Sequence, residues 1–305
     1  MKDSENMLKR RDRLVGGLWG LLIGSAFGEV RATWLKDPPA TGSIRDRLPG
    51  ASWGLEGAQI LCLLMGLQKK DVPFEAMAGH AIQSARLGIC YPDSEYRFAE
   101  LEGPLSSPTL LGQSYAALEC YRQHAIEQCA LLFSLPLLWN GSEDPSVLAH
   151  QGLILGREAM RDDIDKATLV MGCMLAKAYL DDQADAWEYA ANNLLRLSAN
   201  IGIACADVGT VIGTPPGDTA HAQTHRMLYL LAHVRQALQI TRTFERAIDF
   251  ATAPSPDLRI PMALVGMMAG LHYGESLIPS DRLASLRGRE LAKQCIAACP
   301  ITQLR

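Results

Sequence analysis

Asp12 to Val30, DRLVGGLWGLLIGSAFGEV, decides the fold. Gly16, Gly20, Gly24 and Gly28 recur every four residues, which gives a helix one face without side chains. Each glycine costs about 1 kcal/mol of helix propensity relative to alanine, so a row of them needs a close contact in return. A second row, Gly266, Gly270 and Gly274, repeats the spacing some 240 residues later, within Met262 to Gly274. The two glycine faces are therefore expected to cross inside one core. The first segment also follows Lys9, Arg10, Arg11 and Arg13, as the apolar part of a secretory signal would. Leu14 to Gly28 spans only about 22 Å as a helix, too short for about 30 Å of hydrocarbon. The glycine stripe favours burial in the fold.

Between the two stripes the apolar periodicity is helical nearly throughout, with expected helices at 55–69, 74–87, 109–124, 126–139, 146–161, 166–181, 184–199, 222–239, 243–252 and 281–298. No run of alternating residues reads as a strand, so the fold class is all-α, and residues 1–305 are expected to form one compact helical domain. Asp144 is placed to cap a helix with Pro145 at its first position, Pro279 and Ser280 introduce the last helix, and Pro136 is expected to kink or end its own. Irregular stretches fall at 36–50, 91–108, 140–144, 208–218 and 253–257, and loops of this kind are where an all-helical protein builds a site.

Composition narrows the function. A 305-residue chain that is 48% hydrophobic and 20% charged excludes disorder, and 29 Lys+Arg against 33 Asp+Glu leaves no basic footprint for nucleic acid. Eight cysteines lie scattered through apolar stretches, as free thiols do in a reducing cytoplasm. Cys295 and Cys299 stand four apart on an expected helix, but no second Cys or His pair lies nearby in sequence, so they read as packing residues. His221 and His225 also stand four apart, with Gly217-Asp218-Thr219 just before them as possible oxygen ligands. Without the glutamate of a zinc-protease motif they read as an exposed helix start capped by Asp218 or Thr219, rather than as a metal site. No dinucleotide fingerprint, P-loop, nucleophile elbow or CxxC pair is present.

Four segments taken in order carry a family resemblance: the opening glycine helix with Gly24-Ser25-Ala26-Phe27-Gly28, GASWGLEGAQILCLLMGL from Gly50, ALLFSLPLL from Ala130, and PSPDLRIPMALVGMMAGLHYGESLIP from Pro254. Together, and with TFERAIDFA at 243–251, they resemble the ADP-ribosylglycohydrolase family over nearly the whole chain. The resemblance implies a compact all-helical fold and two-metal hydrolysis, with a pair of Mg ions orienting a ribose and a water at the N-glycosidic carbon. It also implies oxygen ligands from an acidic Ser/Thr-Asp-Asp-Thr turn and a late Gly-Asp-Thr-Asp-Thr loop. Here those positions read Gly54-Leu55-Glu56-Gly57 and Pro256-Asp257-Leu258-Arg259-Ile260, and the opening aspartate is Ser25.

Only Glu56 and Asp257 keep carboxylates there, whereas Arg259 places a permanent cation where a metal-binding aspartate is expected. No Mg cofactor is therefore expected. Arg259 should pair with Glu56, Asp257 or both if it points inward. His150 falls where the family has a Thr-His pair, with Ala149 in place of the hydroxyl residue, and Phe133 replaces a polar position.

The resemblance thus implies a degenerate glycohydrolase, a pseudoenzyme that binds ADP-ribose, an ADP-ribosylated protein or a protein partner, with Arg259, Ser25 and His150 as binding candidates. Two alternatives stand beside it. One is an interaction or immunity protein acting against an ADP-ribosyltransferase. The other is a metal-independent N-glycoside hydrolase using Glu56 and Asp257 as its acid/base pair.

Overall fold

The computed structural model describes residues 2–36, 50–67, 90, 92, 130–141, 144–157, 160–221, 224–251, 259–299 and 301. Among them are twelve α-helices and no strand: α1 (Lys2–Lys36), α2 (Leu55–Leu67), α3 (Ser134–Trp139), α4 (Pro145–Leu155), α5 (Asp163–Leu180), α6 (Ala186–Ser198), α7 (Cys205–Gly213), α8 (Arg226–Ile240), α9 (Phe244–Phe250), α10 (Arg259–Tyr273), α11 (Ser280–Ser285) and α12 (Arg289–Ala298). The expected helices at 74–87 and 109–124 lie outside the described residues, as do most of the 36–50, 91–108 and 253–257 stretches.

The glycine rows meet as expected. Helices α1 and α10 make the most extensive contact of any described pair. Gly16 faces the Gly270 carbonyl, Gly20 that of Gly266, and Gly24 that of Met262, so one number falls as the other rises and the helices run antiparallel. A Cβ on Gly16 would lie 2.6 Å from the Gly270 oxygen, well inside van der Waals contact, so only glycine permits this approach. Around the seam, α5 is buried on nearly every side from Ala167 to Ala178, as a helix apolar all round must be. It packs against α4, α6, α7, α8 and α10.

The basic run before the first stripe is tied into this bundle. Arg10 Nη1 donates to Asp181 Oδ1 at 2.6 Å, and Arg13 pairs with Asp182 at 2.6 Å while donating to the Tyr179 carbonyl. Among the described residues, no helix is long and apolar enough to cross a membrane.

Helix boundaries follow their signals in most places. Asp144 caps α4 by accepting from the Ser146 N–H at 2.7 Å, with Pro145 in the first helical position. Pro136 does not end its helix, since α3 runs on to Trp139. A 3₁₀ turn at Ala130–Phe133 precedes α3, so the proline falls in the first helical turn, where its missing N–H has no acceptor to lose. The stretch read as irregular from 208 is in part a helix, α7, which buries Val208 and Val211 one turn apart. The helix expected over 281–298 is two, parted at Gly288, whose φ of +83° breaks the ladder.

Candidate functional site

At the C-terminal half of α1, Ser25 is completely buried, and its hydroxyl joins two chain segments. The Ser25 Oγ donates to Glu56 Oε1 at 2.6 Å and accepts from the Gly54 N–H at 2.6 Å. Glu56, 5% exposed, opens α2, where the unsatisfied N–H groups of the first turn favour a negative side chain. Its carboxylate folds back over Gly54, so closely that a Cβ there would overlap it. Gly57 is equally constrained, since a Cβ would come within 2.8 Å of Trp53 Cδ1. The Trp53 indole in turn donates to the Cys90 carbonyl at 2.9 Å. The Gly-Leu-Glu-Gly turn is thus a fixed element docked on α1 through a serine.

One turn beyond Ser25 on the same face of α1, Glu29 meets Arg259 at the start of α10, with Nη1 to Oε1 at 3.5 Å. Both side chains are partly open to solvent, at 39% for Arg259 and 33% for Glu29. The arginine is therefore half-buried at the mouth of the α1–α10 seam rather than sealed within it. Glu29 was missed in the sequence; its signal was its place one helical turn after Ser25. Asp257 lies outside the described residues. His150 stands exposed on α4 and takes part in neither the Ser25–Glu56 nor the Glu29–Arg259 contact. Phe133 is buried in the core.

The cysteines are closer together than their spacing suggested. Cys90 and Cys295 approach the Met65 sulfur at 3.7 and 3.6 Å, and the Cys90 thiol also faces Cys62. The partners that Cys295 lacked in sequence are thus supplied by the fold. A hydrogen bond with Cys295 lowers the Cys90 pKa, but its bond with Cys62 and its burial outweigh that and push it up to about 12. The hydrogen bond with Cys90, together with burial, raises the Cys295 thiol as well. These groups stay protonated at neutral pH, as packing thiols do.

An antiparallel glycine seam wrapped by amphipathic helices, with its polar contacts at the end where α1, α2 and α10 meet, defines a compact all-α bundle. A solved structure described as an "ADP-ribosylglycohydrolase-related protein complex" aligns with it at a TM-score of 0.66, over 97% of this chain and 99% of that one, with 19% sequence identity. The chain has the ADP-ribosylglycohydrolase fold. No family model and no curated protein matches the sequence.

Proposed function

We propose that this protein is a degenerate ADP-ribosylglycohydrolase-like binding protein, which holds an ADP-ribosyl-type ligand without the paired Mg ions of that chemistry. The observation that carries the reading is the Ser25–Glu56 bond. The Ser25 hydroxyl at this end of the bundle donates to one Glu56 carboxylate oxygen and accepts from the Gly54 N–H, at 2.6 Å each. Leu55 and Gly57 beside them have no side-chain oxygen, and Arg259 brings a permanent positive charge. Two Mg ions need several free oxygens apiece, so the described residues at this end of the bundle do not fit them.

Arg259 has what a diphosphate needs. A half-open guanidinium presents paired N–H donors in the plane that phosphate oxygens accept, with Glu29 holding it in place. Arg259→Ala should weaken ADP-ribose binding about tenfold or more, measured by calorimetry, without loss of helix content. Equal affinity in the variant and the parent would remove the arginine from the reading.

A protein partner is the second reading, supported by the description of the aligned structure as a complex. Its test is co-purification of the full chain with a protein that binds at defined stoichiometry and is released by Arg259→Glu. Binding unaffected by that charge reversal would place the partner elsewhere.

A further inference from the structure

His221 and His225 do not share a helix. Helix α8 begins at Arg226, which leaves both histidines in the turn before it, with the His225 N–H bonded to the His221 carbonyl at 2.9 Å. That turn carries the His225 ring toward the start of α5, where Asp162 and Asp165 wait. His225 Nδ1 lies 3.6 Å from Asp162 Oδ2 and 3.9 Å from Asp165 Oδ1. One ligand atom from each of the three residues falls within 4.8 Å of the others.

These distances are too long for hydrogen bonds. They are close to what an intervening ion requires, because two ligands about 2.1 Å from a cation at a tetrahedral angle stand roughly 3.4 Å apart.

Two further observations separate this cluster from an ordinary acidic helix start. His225 Nδ1 is fully buried and has no hydrogen-bond partner, although it is aimed between the two carboxylates. Asp165 is more than nine-tenths buried, and its Oδ1 faces the ring nitrogen across 3.9 Å. Each aspartate is also oriented by the backbone through its other oxygen. Asp162 Oδ1 accepts from the Asp165 N–H at 3.0 Å, and Asp165 Oδ2 accepts from the Arg161 N–H at 3.1 Å. Backbone bonds of this sort are how proteins aim metal ligands, with one oxygen held and the other presented. Asp162 is about half-exposed, at 47%, and gives an ion a way in.

We infer that Asp162, Asp165 and His225 bind one divalent transition-metal ion, with coordination positions left open to water. One imidazole nitrogen and two carboxylates suit Zn²⁺, Mn²⁺ or Co²⁺ better than Ca²⁺ or Mg²⁺, which prefer all-oxygen shells. These three residues are distinct from Ser25, Glu56, Glu29 and Arg259.

The test is titration of the chelator-stripped full-length protein with Zn²⁺ by calorimetry and with Co²⁺ by visible absorption. Cys205→Ser is used as the background, because Cys205 is exposed and its thiolate could compete. One equivalent should bind, giving a Co²⁺ spectrum without thiolate charge-transfer bands. Asp162→Asn preserves the helix cap, since asparagine caps as well as aspartate, so its loss of affinity reports ligation rather than folding. Asp162→Asn and His225→Gln should each weaken binding tenfold or more and abolish the Zn²⁺-induced rise in Tm. No stoichiometric binding in the background protein, or affinity unchanged in both variants, would overturn the assignment.

Discussion

Placing one methyl group in the glycine seam should destabilise the fold, because the seam leaves no room for a Cβ. In Gly20→Ala the new Cβ would overlap the Gly266 carbonyl oxygen, lie 2.7 Å from its carbon and 3.1 Å from Phe244 Cε2. Both obstructing atoms on α10 are backbone, so no rotamer change relieves the clash, and the helices must move apart before ordinary contact is reached. That separation also opens the neighbouring Gly16–Gly270 and Gly24–Met262 approaches, because all three lie on one seam. Overpacking in a well-filled core costs about 1–3 kcal/mol and more where backbone must move, whereas the gain in helix propensity returns only about 1 kcal/mol. We expect a net loss of about 2 kcal/mol.

Gly209→Ala is the matched control. Gly209 is exposed in α7 with open space where its Cβ would go, so the same substitution should stabilise by up to about 1 kcal/mol. Urea denaturation of both variants gives the two signs directly. Stabilisation by both substitutions would show that α1 and α10 do not meet through their glycines, and would refute the packing described above.

Three further outcomes follow from the geometry. Ser25→Ala removes the bonds to Gly54 and Glu56 and leaves a buried carboxylate short of a donor, so denaturation should show a loss of about 2–3 kcal/mol. Iodoacetamide at pH 8 should label Cys205 well before Cys62, Cys90, Cys173, Cys295 and Cys299, all of which are buried. Peptide mass spectrometry would read the order, and burial that raises Cys173 to about 12 and Cys299 to about 11 is the reason. His233, stacked on Phe250 at 5.5 Å, has its pKa lowered by burial from the ordinary 6.5. As pH falls below 6.5 the unfolded chain takes up a proton there that the folded protein resists, so stability should decline with acidity and level off below the folded pKa. His233→Gln should flatten that decline between pH 5 and 7; an unchanged slope would assign it to other groups, of which His272, also lowered by burial, is the first candidate.

What could be read from the chain was what has a period. Glycines every four residues required a helix partner with the same spacing, and α1 and α10 supply it. Asp144-Pro145 marked a helix start because capping is local. Contacts between distant segments leave no such trace. Nothing near Arg259 in sequence points to Glu29, some 230 residues away, and nothing near His225 points to Asp162. The same holds for Cys90, which the fold brings beside both Cys62 and Cys295. Ser25 and Glu56 could be named as candidates from their positions, but not their use, which is a bond to each other. Helix α7 was hidden because Gly209, Gly213 and the β-branched residues between them argue against a helix, while burial of Val208 and Val211 overrides that preference.

We propose that this end of the bundle binds ADP-ribose without the metal pair and without turnover. Calorimetric titration of ADP-ribose into the full chain, with MgCl2 and with EDTA, tests it most directly when the same samples are assayed for release of ADP-ribose from modified arginine. Equal affinity in both conditions and no hydrolysis are expected. Binding that requires Mg and is followed by turnover would contradict it, turnover that persists in EDTA would shift the reading to a metal-independent hydrolase, and absence of any binding would reject ADP-ribose as the ligand.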